Sequence, residues 1–78
     1  MNNHYKKAFQ IIADVLDTDI SKINSEDSIT CWDSLAFLSI ISNLEHEFGL
    51  SLPIEKIIEQ AAKAKTIKEL LMILGIEL

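Results

Sequence analysis

Ser34, Cys31, His4 and His46 are the side chains in this sequence best suited to nucleophilic, acid–base or metal chemistry. A serine nucleophile needs a base within hydrogen-bond reach. His46 lies on the same predicted helix as Ser34, about 18 Å away by helical rise, and reads as a solvated surface residue. Sequence distance alone does not separate His4 from Ser34, but no Gly-x-Ser-x-Gly turn is present to present a hydrolase serine. A serine hydrolase is therefore not expected. Cys31 is the single cysteine, so no internal disulfide forms, and no metal-ligand spacing accompanies it. No lysine or histidine neighbours it in sequence to activate the thiol; it reads as a small, partly buried residue.

Ser34 has a different setting. It opens a predicted helix directly after Asp33, a good N-cap residue. The first-turn amides and the positive end of the helix dipole suit an anion, such as a phosphodiester, attached there. The plainer reading is that Ser34 only helps Asp33 start the helix, and for an isolated Asp-Ser-Leu that reading would win. The wheel adds to the picture. With about 100° per residue, Phe37, Ile40, Ile41, Leu44 and Phe48 share one core stripe. Ser34 falls just outside its edge. Leu38 lies beside Ser34 on the side away from the core, and Leu35 lies further round, so this helix has two leucines that a core stripe does not need.

Four helical segments follow from period and punctuation. The first runs from about Asn3 to Leu16, with Tyr5, Ala8, Phe9, Ile12, Val15 and Leu16 on one face. A polar loop, Asp17 to Trp32, comes next, its aspartates, serines, asparagine and threonine competing with helix for the backbone. Ile20, Ile23 and Ile29 are expected to peg it to the core, and Trp32 to seal it against the bundle. The second helix spans Ser34 to Phe48, with Gly49 suited to a left-handed end. The third begins at Pro53, with an apolar face of Ile54, Ile57, Ile58, Ala61 and Ala62 and with Lys63 and Lys65 near its end. The fourth starts at Thr66-Ile67-Lys68-Glu69, a capping-box pattern, and stops at Gly75. The expected fold is all-α: a small four-helix bundle with a long loop between helices one and two, residues 1–78 forming a single domain.

The central block is specific. Trp32-Asp33-Ser34-Leu35 opens the second helix, and Leu44-Glu45-His46-Glu47-Phe48-Gly49-Leu50-Ser51-Leu52-Pro53 closes it. This closely resembles the acyl carrier protein family, with its Asp-Ser-Leu start, Leu-Glu-x-x-Phe-Gly close and Pro-like step into helix three; the likeness spans the whole chain. The resemblance implies a non-catalytic carrier. A phosphopantetheinyl transferase would move 4'-phosphopantetheine from coenzyme A to Ser34, with Asp33 recognised by the transferase, and the arm's thiol would hold an acyl group as a thioester. Leu35 and Leu38 would form the apolar centre of a docking surface, with Asp33, Glu45 and Glu47 as a charged rim facing acyl-loading and acyl-transfer enzymes that present basic surfaces.

Departures narrow this further. Trp32 stands where many members have glycine, Ala36 and Ser39 replace positions often acidic in the fatty-acid-synthesis members, Ser42 replaces one often apolar, and helix three with its exit, Pro53 to Lys65, looks longer than the family's short version. These features point away from the housekeeping carrier and toward a specialised one, in a fatty-acid, polyketide or other dedicated acyl-transfer pathway. Aminoacyl or peptidyl cargo is the alternative. Peptidyl carriers usually have Gly-Gly before the serine motif and D-alanyl carriers a methionine after the serine, and neither occurs here. A second alternative is a helical interaction module that keeps the fold without the prosthetic group; the intact Asp33-Ser34-Leu35 speaks against it.

Composition agrees. The net charge is −5, from 12 acidic residues and seven lysines, with no arginine. An acidic, arginine-free chain is a poor nucleic-acid binder, because phosphate neutralisation dominates that affinity. Gln10 and Asp14 interrupt the first apolar stretch, and no run approaches the roughly 18 apolar residues of a membrane span. A cytoplasmic, monomeric protein is expected.

Overall fold

The computed structural model describes residues 4–50 and 53–76, so the predicted start at Asn3 lies outside the described residues. Four α-helices follow in order: α1 (His4–Leu16), α2 (Ser34–Phe48), α3 (Ile54–Ala61) and α4 (Ile67–Ile73), with a 3₁₀ turn at Ile20–Lys22 in the long first loop. Among the described residues the β-structure is a single isolated bridge, Ser28 to Thr66. This is the all-α bundle with a long first loop that the hydrophobic pattern requires.

The core is aliphatic. Ile12, Ile40, Ile41, Leu44, Ile57, Ile67, Leu70 and Leu71 are fully buried, so every helix contributes. Phe37 and Phe48, placed on the α2 stripe from sequence, lie at its margins, half-buried against the core. On α1 the buried face is Ala8, Ile12 and Ala13, with Phe9, Val15 and Leu16 packed at its sides.

Local chemistry sets the helix ends. The Asp33 carboxylate accepts the Ala36 amide at 2.7 Å and starts α2. Gly49 ends α2 at φ 58°, its N–H and that of Leu50 both bonding the Glu45 carbonyl. Gly75 plays the same part after α4, where Ile76 bonds back to Leu71 at 2.8 Å. Asp17 does so after α1 at φ 56°, where Thr18 bonds back to Ala13 at 2.9 Å. That is the left-handed cap geometry, occupied here by a residue with a side chain. The Thr66 hydroxyl accepts the Glu69 amide at 3.2 Å to start α4, while the Glu69 carboxylate reaches one residue further back than a capping box requires, to the Lys65 amide at 2.8 Å.

Three expectations need correction. Pro53 precedes α3 rather than opening it, its carbonyl accepting the amides of Lys56 and Ile57. α3 stops at Ala61, and its apolar face is narrower than assigned: Ala62 is exposed, Ile54 is 37% exposed, and only Ile57 and Ala61 of that face are buried. Beyond Ala61 the chain tightens into i→i+3 bonds, Lys63 N–H to Gln60 at 3.1 Å and Ala64 N–H to Ala61 at 3.0 Å, and the Lys65 carbonyl then accepts the Ile29 amide at 2.9 Å. Cys31, expected to be partly buried, is exposed, its thiol 3.6 Å from the Ser28 carbonyl; the neighbouring Trp32 takes the space against the core instead.

Backbone bonds, together with isoleucine pegs, tie down the long loop. Ile23 and Ile29 are buried and Ile20 packs against the core. The loop then meets the start of α4: Ile29 N–H donates to Lys65, Ile67 N–H to Asp27 at 3.0 Å, and Lys68 N–H to Ser25 at 2.8 Å. The segment just before Ser34 is thereby anchored to a distant part of the chain.

Candidate functional site

Ser34 is the first residue of α2 and is exposed. Its hydroxyl makes no hydrogen bond among the described residues, and the backbone N–H groups of Ser34 and Leu35 are likewise unpartnered there. Asp33 has its carboxylate committed to the Ala36 amide, and its carbonyl accepts the Phe37 N–H at 2.9 Å. The helix start is thus fixed while two of its amide donors stay available for an anion.

The leucines stand where the wheel puts them. Leu35 is 79% exposed and Leu38 43%, whereas Ile40, Ile41 and Leu44 on the same helix have no exposed surface. Glu45 comes round to within about 20° of Ser34 and Leu38 to within about 40°, so these three share one flank of the core stripe. Ser39 and Ser42 are exposed on this side and uncharged. Glu47 lies elsewhere. It is about 220° from Ser34, on the flank facing α1, and pairs with Lys7 of α1 at 3.5 Å. The structure therefore groups Asp33, Ser34, Leu35, Leu38 and Glu45 and separates Glu47 from them. The sequence alone did not show this, because a pair between helices depends on how α1 packs on α2. It also did not single out Ile54 as an exposed apolar residue of α3, nor the cleft of about 330 Å³ behind Trp32.

The family model for the phosphopantetheine attachment site matches residues 7–71, from the first turns of α1 into α4. The chain belongs to the acyl carrier protein family. Among curated proteins this carrier chain is similar to acyl carrier protein AcpXL of Mesorhizobium japonicum, 38% identical over 60 residues; the match covers 72% of this chain and 63% of the relative's length. No solved structure gives a significant match.

An acyl carrier protein has a covalently attached 4'-phosphopantetheine and is itself non-catalytic. The residues of this chain fit that group: an exposed hydroxyl with no competing partner, free first-turn amides beside it, and a capped, well-packed helix beneath. Among the described residues, no cluster of histidine, cysteine, aspartate or glutamate could hold a metal ion, and no helix is long and apolar enough to cross a membrane.

Proposed function

We propose that Ser34 carries the phosphopantetheine arm and that the protein ferries acyl groups as thioesters between enzymes of a specialised pathway, as a cytoplasmic monomer. The observation that carries this reading is the pairing of an exposed, unpartnered Ser34 with two leucines that the core leaves outside, on one flank of α2. The Ser34 oxygen accepts the phosphopantetheinyl group from coenzyme A and gives up its proton, with adenosine 3',5'-bisphosphate as the leaving group. Once bound, the arm supplies a terminal thiol that holds the acyl group. The chain's own residues hold the attachment point: Asp33 fixes the first turn, the amides of Ser34 and Leu35 would be available to hold the phosphate, and Ile40, Ile41 and Leu44 root the helix in the core.

Leu35 and Leu38 form the apolar centre of the surface that the transferase and the acyl-handling enzymes recognise, with Asp33 and Glu45 as its charged rim and Glu47 adding negative potential from the α1 flank. A net charge of −5 suits basic docking surfaces. Uncharged Ser39 and Ser42 on the side of those leucines, and Ala36 in the first turn, support a dedicated partner set. The acyl carrier name of the relative supports acyl cargo.

Intact mass after incubation with coenzyme A and a broad-specificity transferase should show one added phosphopantetheinyl group. Ser34→Ala should abolish the addition while leaving the helical circular dichroism unchanged, because Ser34 is outside the core. Modification at another serine overturns the assignment to Ser34, and no modification of the unaltered chain leaves the interaction-module alternative standing.

A further inference from the structure

The cleft behind Trp32 lies between the end of α1, the long loop and the start of α4, and its volume of about 330 Å³ is at the lower end of ligand-site sizes. Leu16, Ile23, Trp32 and Ile67 give it apolar walls, and Thr18 and Lys22 stand among them. Among the described residues neither the Thr18 hydroxyl nor the Lys22 ammonium has a hydrogen-bond or ionic partner. Backbone bonds position the walls: Thr18 N–H bonds Ala13, Trp32 N–H bonds Ile29 at 3.2 Å, and Ile67 N–H bonds Asp27. Nothing in the packing of the bundle calls for a mixed apolar and polar recess with unused donors here. The clefts along α1 and α2, around Glu47, lie on the flank of α2 turned from Ser34, and among their lining groups Lys7 pairs with Glu47 and Gln10 with Asp14.

We propose that this cleft seats the pantetheine portion of the arm, which rests on the attachment at Ser34 argued above. Two observations choose this occupant. Trp32 is two residues from Ser34, at most about 7 Å along the chain, so a tethered group experiences the cleft at an effective concentration in the millimolar range. A site too weak to hold a free ligand is then filled. The chemistry also matches: pantetheine alternates short alkyl segments with two amides, and the cleft sets Leu16, Ile23 and the Trp32 ring beside the Thr18 hydroxyl and Lys22 ammonium. Seated there, the arm lies on the loop side of Ser34, away from Leu38, and leaves the docking leucines uncovered.

Trp32 is the only tryptophan, so its emission reports on the cleft alone. The experiment compares the chain before and after loading from coenzyme A, with intact mass confirming one group on Ser34. Acrylamide quenching of Trp32 and amide chemical shifts are read on both forms. Loading should lower the quenching constant and shift the amides of Thr18, Ile23 and Ile67, of which Thr18 and Ile67 are remote from Ser34 in sequence. The double variant Thr18→Val, Lys22→Met keeps the shape of the wall and removes its two unpartnered polar groups, leaving Asp27, Ser28 and Cys31 in place. It should accept the group with the normal mass increment yet lose the shifts at Ile23 and Ile67. A loaded chain whose shifts stay within residues 33–38, or move to Leu38 and Ile54, overturns the seat while the attachment stands. A double variant that retains the full shifts also overturns it. A chain that gains no mass at Ser34 sinks the attachment reading and this one with it.

Discussion

The two faces of α2 are built from the same residue types and do different things. One holds Ile40, Ile41 and Leu44, with no exposed surface; the other holds Leu35 at 79% exposure and Leu38 at 43%. Both sit on one fifteen-residue helix with one cap at each end, so propensity and local geometry are shared. The difference is phase alone. Leucine on the inward face contributes transfer free energy and packing, while leucine on the outward face adds little to folding and is available to a partner. The two leucines that the core leaves outside are the basis of the docking surface proposed above.

The largest effect should come from the inward face. Leu44→Ala should cost about 2–5 kcal/mol through lost burial and a cavity, read as a lower denaturant midpoint at unchanged slope. Ile40→Ala should fall in the same range. If either midpoint stays put, the distinction between the faces collapses. Leu38→Ala should change stability by much less than Leu44→Ala and instead raise the Michaelis constant of the transferase or weaken docking to a downstream enzyme. Both quantities should be measured on one sample. A collapse in stability with normal kinetics per folded molecule would return Leu38 to the core. The smallest effect should come from Glu47→Gln. An exposed pair such as Lys7–Glu47, with side chains 65% and 44% exposed, contributes about 0–1 kcal/mol. That loss should vanish at high salt, as should any slowing of partner association. A salt-resistant loss of docking would instead bring Glu47 into the contact surface.

Much of this was readable before any coordinates. Asp33 and Gly49 bracket α2 because a carboxylate cap and a left-handed residue each solve a specific problem at a helix end, and the fifteen residues between them are enough to fix the phase of the stripe. α3 was less legible. Two turns give a wheel few points, so Ile54 and Ala62 were assigned to a face they do not join. Asp17 left no mark because a side chain at that left-handed position is not what a cap rule looks for. The anchorage of the long loop left none either, since bonds between backbone groups, such as Ile29 to Lys65, are indifferent to side-chain identity. The leucines beside Ser34 were legible as surplus; that Glu45 joins them while Glu47 turns to Lys7 needed the packing of α1 on α2.

The bonds from Ser25, Asp27 and Ile29 to Lys65, Ile67 and Lys68 also have a meaning in time. They close a ring of chain that contains all of α2 and α3. Such a closure is repaid only after the enclosed helices have found each other, because its entropic cost comes before its contacts. The loop should therefore settle last and let go first. The amides of Ile29 and Ile67 should exchange with solvent ahead of those of Ile41 and Leu44. The strap that leads into Ser34 can then loosen while the helix that bears Ser34 stays folded.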